Sequence, residues 1–307
     1  MRKNICTIFL LFIFGTTVWS QPLQDNKKYL KAYFSYAKFY SPEYGPYIET
    51  YLTVIGNTLE YKNIGKGKKQ GEVEITTVIK EKDSIINFKK YKVLSPIYAD
   101  SAHEFKNFID VQRLSVPDGK YDLYLEIRDV NSLNQPFTYT EPLTVDFDKD
   151  SVNISDIELI EKFYKTTEKT VYTKHGYDIF PYQSTFYPDV VDDFLFYFEI
   201  YNTTTFFKDE PFLVNYYLSD YNSLKKMDGY FKFKRKNPED VIVIIDKFNI
   251  EKLPSGNYYF NVDIVNKENQ IVAHKHILIQ RLNPEYDITT DNLENVDVTG
   301  TFVDKIT

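Results

Sequence analysis

Histidines and clustered carboxylates are the side chains in this 307-residue sequence whose types and spacing could support chemistry. His274 and His276 lie two residues apart on a predicted strand, and residues at that spacing share one face, so the two imidazoles could bind one metal ion. A zinc site normally has three or four protein ligands, and the sequence offers no evident third ligand. We therefore prefer the interpretation of two partly exposed sheet histidines, and the sequence predicts no metal and no cofactor.

A histidine and several acidic residues also gather in the least regular part of the chain, residues 165–193. His175 and Asp178 could form an orienting acid–base pair, but ordinary loop hydrogen bonds explain the same spacing and are preferred. Three further acids could ligate calcium, yet they lack the alternating ligand spacing and turn glycine of a calcium loop: Asp189, Asp192 and Asp193. The sequence contains no nucleophile elbow, zinc-protease helix or paired-cysteine motif, so it predicts no catalytic residue.

Aromatic residues are the unusual feature of the composition. They make up 17% of the chain, with 27 Tyr and 24 Phe, and such residues favour pleated, half-buried strands. Tyr124 and Tyr259 fall on outward strand positions, where they could form a platform that stacks on sugar rings or anchors a protein. The preferred alternative is that sheet propensity alone enriches Tyr and that the neighbouring domain covers these outward faces. Long irregular loops are often functional, which adds four candidate binding residues: His175, Tyr177, Tyr182 and Tyr187.

A repeated stretch defines the elements that position these residues. Residues 114–129 and 253–266 both begin with a hydrophobic residue, a proline and a polar-Gly turn, and then alternate apolar and polar residues. The predicted inward residues are Tyr121, Leu123, Leu125 and Ile127 in the first copy, and Tyr258, Phe260, Val262 and Ile264 in the second. Period-2 alternation after such a turn is typical of a half-buried antiparallel strand. A tyrosine at its start resembles the tyrosine corner of immunoglobulin-like sandwiches.

The spacing of the predicted strands indicates two domains. About eight strands between residues 30 and 147, and a similar series between residues 154 and 282, have the rhythm of β-sandwiches. The polar stretch from Asp146 to Ser155 marks a boundary near residue 150. We therefore predict an all-β chain of two tandem immunoglobulin-like antiparallel β-sandwiches, residues 21–150 and 151–285. Residues 286–307 would form a polar C-terminal tail or the start of a missing domain.

The first 20 residues have the order of a secretory signal peptide. Arg2 and Lys3 precede an apolar run from Ile5 to Phe14, and small residues lead to Ser20, after which cleavage is expected. The run is too short to cross a membrane and no other stretch approaches eighteen apolar residues, so no membrane span is expected. Cleavage would also remove Cys6, the single cysteine, and with it any disulfide or thiolate chemistry. The expected location is exported: periplasmic, cell-surface or secreted.

The net charge disfavours one class of partner. It is −7 for the whole sequence and becomes −9 once Arg2 and Lys3 are removed. Nucleic acid is therefore not expected as a partner, because proteins that bind it usually carry a basic face. A protein partner or a cell-envelope glycan remains.

Several short motifs together resemble the N-terminal β-rich region of GWxTD-type exported proteins of Bacteroidetes. They are Val18-Trp-Ser-Gln21, the Pro-x-Gly-x-Tyr stretches at Pro117 and Pro254, Ile157-Glu-Leu159 and Asn283-Pro284. The resemblance covers roughly residues 25–285, and the Gly-Trp-x-Thr-Asp motif itself is absent. It implies that residues 288–307 lie where such proteins pass into a C-terminal domain, with this chain a shortened relative or a fragment. The resemblance carries over no active site.

Two functions follow as hypotheses. The first is a non-catalytic exported module of the cell envelope that binds a protein partner or a glycan through aromatic sheet faces or end loops. The second is an envelope hydrolase or lectin-like enzyme subunit whose acids lie in residues 165–193. Paired glycosidase carboxylates must lie about 5 to 9.5 Å apart, a distance that the sequence does not supply. We prefer the first hypothesis because no catalytic motif is present.

Overall fold

The computed structural model describes residues 29–286, which form four β-sheets with mainly antiparallel pairing. The predicted all-β class is therefore confirmed. The predicted signal peptide at residues 1–20 and the tail beyond Tyr286 lie outside the described residues. Within residues 29–286, no helix is long and apolar enough to cross a membrane.

The first two sheets come from residues 29–147. Their strands are β1 (Ala32–Ser41), β2 (Gly45–Val54), β3 (Tyr61–Gly65), β4 (Lys68–Glu81), β5 (Ser84–Leu94), β6 (Tyr98–Ala99), β7 (Phe108–Ser115), β8 (Gly119–Asp129) and β9 (Phe137–Val145). The first sheet has the order β1-β2-β7. The second sheet has the order β5-β4-β8-β9, with the short strands β3 and β6 also paired to β4. Ile48 of the first sheet packs with Leu123 of the second in a shared core.

The other two sheets come from residues 153–281. Their elements are β10 (Asn153–Ile154), β11 (Glu158–Lys165), β12 (Thr173–Lys174), β13 (Tyr177–Pro181), β14 (Phe186–Tyr187), β15 (Asp193–Tyr201), α1 (Thr203–Phe207), β16 (Phe212–Asp220), β17 (Lys226–Lys236), β18 (Val241–Asn249), β19 (Gly256–Val265) and β20 (Ile271–Arg281). In the third sheet β15 pairs with β18 on one side and with β10 and β11 on the other, and β13 and β12 follow β11. The fourth sheet has the order β17-β16-β19-β20-β14. Strands β8 and β19, which contain the sequence repeat, thus hold the same place between their neighbours.

The four sheets stack in the order second, first, third and fourth. A core between the first and third sheets joins Phe39 and Tyr51 to Ile160 and Tyr197. Strand β15 is therefore covered on both faces: its even residues 194–200 pack against the fourth sheet, whereas Tyr197 faces the first. A strand that is buried on both sides needs apolar residues at successive positions. This requirement explains the nearly continuous run from Phe194 to Tyr201.

Corner tyrosines close the turns that precede β8 and β19. The Tyr121 hydroxyl donates to the carbonyl oxygens of Pro117 and Asp118, at 3.0 and 3.2 Å. The Tyr258 hydroxyl donates to the carbonyl of Pro254 at 2.9 Å. Both rings are buried, at 8% and 4% exposure. The two copies of the repeat therefore use the same local contact to fix the entry of the chain into its strand.

The glycine two residues before each corner tyrosine leaves space for the tyrosine hydroxyl, and the two copies of the repeat differ in how much space is left. A Cβ on Gly119 would lie 2.5 Å from the Tyr121 Oη, whereas one on Gly256 would lie 3.3 Å from the Tyr258 Oη. We expect Gly119→Ala to lower the free energy of unfolding by about 1 to 3 kcal/mol through overpacking. Gly256→Ala should change it by less than about 1 kcal/mol. The contact there is milder, and alanine offsets part of its cost by lowering the conformational entropy of the unfolded chain. Urea midpoints of both variants test this, and equal losses would contradict the steric argument.

Candidate functional site

The outward side of the fourth sheet carries a cluster of aromatic rings, which we call the aromatic face and define as Tyr217, Tyr221, Phe231, Phe233 and Tyr259. Phe231 and Phe233 are 45% and 62% exposed. Ring centroids of Tyr217 and Phe231 lie 6.2 Å apart, and those of Phe231 and Phe233 lie 6.4 Å apart. On the other side of β16, Tyr221 and Tyr259 lie 5.2 Å apart. Five rings therefore share one exposed sheet face.

Strand β17 reverses the usual pattern in which apolar side chains point inward and charged side chains point outward. Its phenylalanines point to solvent, while Lys232 and Lys234 point toward the third sheet. There the two ammonium groups lie 2.8 and 2.9 Å from the Asp246 carboxylate. Burial disfavours ionisation of Asp246, but hydrogen bonds from both lysines and from Tyr216 hold its pKa well below the ordinary value. Inward charges protect an edge strand from pairing with other chains, yet this protection does not require outward phenylalanines.

Polar side chains border the aromatic face. The Lys226 ammonium lies 4.1 Å from the centroid of the Tyr217 ring. The His276 ring packs edge-on against Tyr259 at 4.8 Å, and His274 lies beside it. Burial, followed by the charge of His274, lowers the pKa of His276 below its ordinary value. The face thus combines stacking surfaces with hydrogen-bonding groups at its edge.

The equivalent position in the first repeat has different surroundings. Tyr124 of β8 is half-buried and donates to the Glu126 carboxylate at 3.0 Å. Ion pairs cross the same side of the second sheet, Lys90 with Glu74 at 2.9 Å and Lys92 with Glu72 at 2.7 Å. Tyr124 and Tyr259 therefore both lie on outward faces, but ion pairs and the Glu126 carboxylate lie near Tyr124, whereas aromatic rings lie near Tyr259.

The four candidate residues of the irregular segment do not come together as one surface. Tyr187 is 1% exposed, lies in the core between the third and fourth sheets and is stacked on Tyr182 at 4.8 Å. Tyr177 packs edge-on against Phe163. His175 occupies an exposed turn with a φ of 46°. Tyr187 is thus unavailable at the surface, and His175, Tyr177 and Tyr182 each contact a different neighbour.

The proposed pairing of His175 with Asp178 is not observed. The His175 Nε2 lies 3.4 Å from the Glu199 carboxylate instead. Asp178 accepts hydrogen bonds from the hydroxyls of Thr170 and Thr173, at 3.0 and 2.5 Å. Asp193 of the acidic cluster pairs with Lys247 at 2.7 Å. Loop hydrogen bonds and a surface ion pair therefore account for these acids.

A buried charge network, which spacing did not predict, connects the first and third sheets at Lys174. The Lys174 ammonium lies 2.7 Å from the Glu49 carboxylate and also pairs with Glu158. Arg113 binds the other oxygen of Glu49 at 2.5 Å. The side chains of Lys174, Glu49 and Glu158 are 4% exposed or less. The two cations balance the two buried carboxylates, Lys174 from within and Arg113 from the surface, where its side chain is 39% exposed.

Protonation in this network follows from burial and from the neighbouring charges. Burial raises the pKa of Glu158, and the charge of Lys174 offsets this only in part. Burial is also the largest influence on Glu49, but the combined charges of Lys174 and Arg113 outweigh it and lower its pKa. The two carboxylates outweigh burial at Lys174 and raise its pKa. Lys174 and Glu49 are therefore held in their charged forms.

These states favour a structural role for the network. A nucleophilic lysine needs a lowered pKa, whereas that of Lys174 is raised. Glu158 has the raised pKa of a general acid, but its side chain is 3% exposed and bound to Lys174.

A cleft of about 400 Å³ beside the network is lined by residues that include Tyr47, Arg113 and Glu199. Burial would raise the pKa of Glu199, but hydrogen bonds from His175, Tyr197 and Tyr201 lower it.

A scan of the sequence against protein-family models finds no match, and a search of curated proteins finds no match either.

Proposed function

We propose that this chain is a non-catalytic, exported binding module of the cell envelope that binds a glycan through the aromatic face. The observation that carries the proposal is the reversed pattern of β17, which exposes Phe231 and Phe233 while lysines point inward. Exposing large apolar side chains in a contiguous group is unfavourable unless a ligand or partner covers them.

The chemistry of the aromatic face favours a glycan over a protein. Aromatic side chains that anchor a protein partner typically insert into pockets of that partner, whereas these rings lie along one side of a sheet. Aromatic rings stack on the C–H side of a sugar through their negative π faces. The bordering Lys226 and His276 offer hydrogen bonds to hydroxyl groups. A protein partner is the outcome that the experiment below distinguishes.

The architecture is part of the same proposal. We infer two tandem immunoglobulin-like sandwiches, because β8 and β19 hold the same place in their sheets and share the tyrosine contact. Export rests on the signal-peptide order of the first 20 residues. The sequence resemblance to the β-rich region of GWxTD-type exported proteins is compatible with both inferences. The hydrolase alternative is less well supported, because Asp178 and Asp193 are engaged in local contacts.

Titration with envelope glycans tests the proposal. The double variant Phe231→Ala/Phe233→Ala should weaken glycan binding at least about tenfold, which is about 1.4 kcal/mol. It should change the free energy of unfolding by less than about 0.5 kcal/mol per site, as is usual at exposed positions. The readouts are binding isotherms and urea midpoints.

Phe88→Ala is the matched control for this double variant. Phe88 is 56% exposed on the second sheet, away from the aromatic face, so its removal should leave glycan binding unchanged. Unchanged binding in the double variant would refute the assignment of the face. Capture of an envelope protein with no glycan bound, lost in the double variant, would replace the glycan by a protein ligand.

A further inference from the structure

His274 and His276 of β20 stand next to each other on the outward side of the fourth sheet, with nitrogen atoms in contact. The His274 Nε2 lies 3.1 Å from the His276 Nδ1. The two side chains come from positions i and i+2 of one strand, which places both on the same face. Both residues are exposed, so the pair is open to solvent.

A carboxylate on the neighbouring strand fixes one of these rings. Asp263 of β19 is paired with His274 in the sheet register, and its Oδ1 lies 2.7 Å from the His274 Nδ1. The Asp263 side chain is 3% exposed, so this contact is shielded from water. The carboxylate can only accept, which places the proton of neutral His274 on Nδ1 and leaves a lone pair on Nε2.

The distance between the two nitrogens suits a shared metal ion. Zinc binds imidazole nitrogen at about 2.0 to 2.1 Å with tetrahedral angles, which sets two ligand nitrogens about 3.3 Å apart. The observed 3.1 Å is close to this separation. A carboxylate that holds the far nitrogen of a ligating histidine is the usual outer partner of such sites, because it fixes the tautomer and makes the ligand more basic.

We propose that His274 and His276 form a surface site for a divalent d-block ion, Zn²⁺ or Cu²⁺, with Asp263 as the positioning residue. The protein supplies two ligands. Within residues 29–286, no group of three or more histidine and acidic side chains is arranged to hold a metal ion. The remaining coordination positions are therefore left for water or for donor atoms of a bound molecule. Imidazole nitrogen suits both ions, and a given site binds Cu²⁺ more tightly than Zn²⁺.

The test uses the full chain without a polyhistidine tag, titrated with Zn²⁺ alone by calorimetry and with Cu²⁺ alone by electron paramagnetic resonance. We expect one ion per chain and a Cu²⁺ spectrum with two nitrogen ligands. His276→Ala should weaken binding about tenfold or more, at least as much as loss of an outer partner does. His103→Ala, which removes an exposed histidine elsewhere, should leave binding unchanged. Absence of binding to the wild type, or wild-type affinity in either His274→Ala or His276→Ala, would overturn the site.

Asp263→Asn separates positioning from folding. An amide can donate to the His274 Nδ1 and so favour the other tautomer, and we expect Zn²⁺ affinity to fall about 10- to 100-fold. The ¹⁵N shifts of His274 should report the tautomer change while circular dichroism shows an intact fold. Wild-type affinity in this variant would overturn the role of Asp263. The Phe231→Ala/Phe233→Ala variant should still bind Zn²⁺, so failure of glycan binding and failure of this site are distinguishable.

Discussion

Replacement of Lys174 by methionine is expected to lower the free energy of unfolding by about 3 to 5 kcal/mol. That is the usual cost of removing one partner from a buried ion pair, because an uncompensated charge remains inside. Lys174 is the contact shared by Glu49 and Glu158, and its ammonium also lies 4.3 Å from the centroid of the Phe39 ring. Glu49 would still be paired with Arg113, so Glu158 would carry most of the loss. Urea midpoints at pH 7.5 measure it.

The loss should depend on pH in a direction that identifies Glu158. Burial already raises the pKa of Glu158, and removal of Lys174 takes away the charge that opposes this rise. A carboxyl whose folded-state pKa lies above its unfolded value stabilises the folded state at low pH. It loses that contribution as the pH rises through the folded-state pKa. The deficit of Lys174→Met relative to the wild type should therefore shrink as the pH falls from about 8 toward the ordinary pKa of glutamate, about 4.3.

Two further variants make this prediction specific. Lys267→Met removes the lysine of an exposed pair with Glu210 and should have little effect, because surface ion pairs contribute little. The double variant Lys174→Met/Glu158→Leu removes the stranded carboxylate and should recover most of the loss, as replacement of a buried pair by apolar residues often does. A double variant as unstable as Lys174→Met would show that the cost comes from lost packing and not from a buried charge.

The sequence predicted the strands well because each carries its own local signal. The Pro/Gly turn and the alternation that follows it predicted residues 121–129, and β8 is observed at Gly119–Asp129. The observed β17 likewise falls within the series of strands predicted between residues 154 and 282. Alternation does not say which set of side chains points inward, however. Phe231 and Phe233 would be assigned to the core by hydrophobicity, and it is Asp246 of β18 that draws the lysines inward.

The charge network and the position of His175 depend on contacts that local spacing does not encode. Lys174, Glu49, Arg113 and Glu158 come from four strands separated by up to 125 residues, and each looks like an ordinary surface charge in the sequence. His175 does not pair with Asp178, in line with the preferred interpretation of loop hydrogen bonds, and the reason is conformational. Positive φ angles at His175 and Gly176 turn the chain, so the imidazole meets Glu199 while Asp178 faces threonine hydroxyls.

The inward side of the repeat provides the second large expected effect. Leu125 of β8 is 1% exposed and packs with Ile75 and Ile127 in the core between the first and second sheets. Leu125→Ala should lower the free energy of unfolding by about 2 to 5 kcal/mol, through lost burial and the cavity that remains. Val262 of β19 is fully buried at 0% exposure. Its replacement by alanine should cost somewhat less, because a smaller side chain is removed.

The outward tyrosines of the same two strands are the matched comparison. Tyr124 and Tyr259 are half-buried and contact other side chains at the surface, so alanine should cost about 1 kcal/mol or less at each. Tyr259→Ala should instead weaken glycan binding, because it removes a ring of the aromatic face, whereas Tyr124→Ala should leave binding unchanged because its surroundings are charged. Denaturation midpoints and binding isotherms of Leu125→Ala, Val262→Ala, Tyr124→Ala and Tyr259→Ala would be compared. If Tyr259→Ala destabilised the protein as much as Leu125→Ala, its ring would contribute to folding and not to an available binding surface.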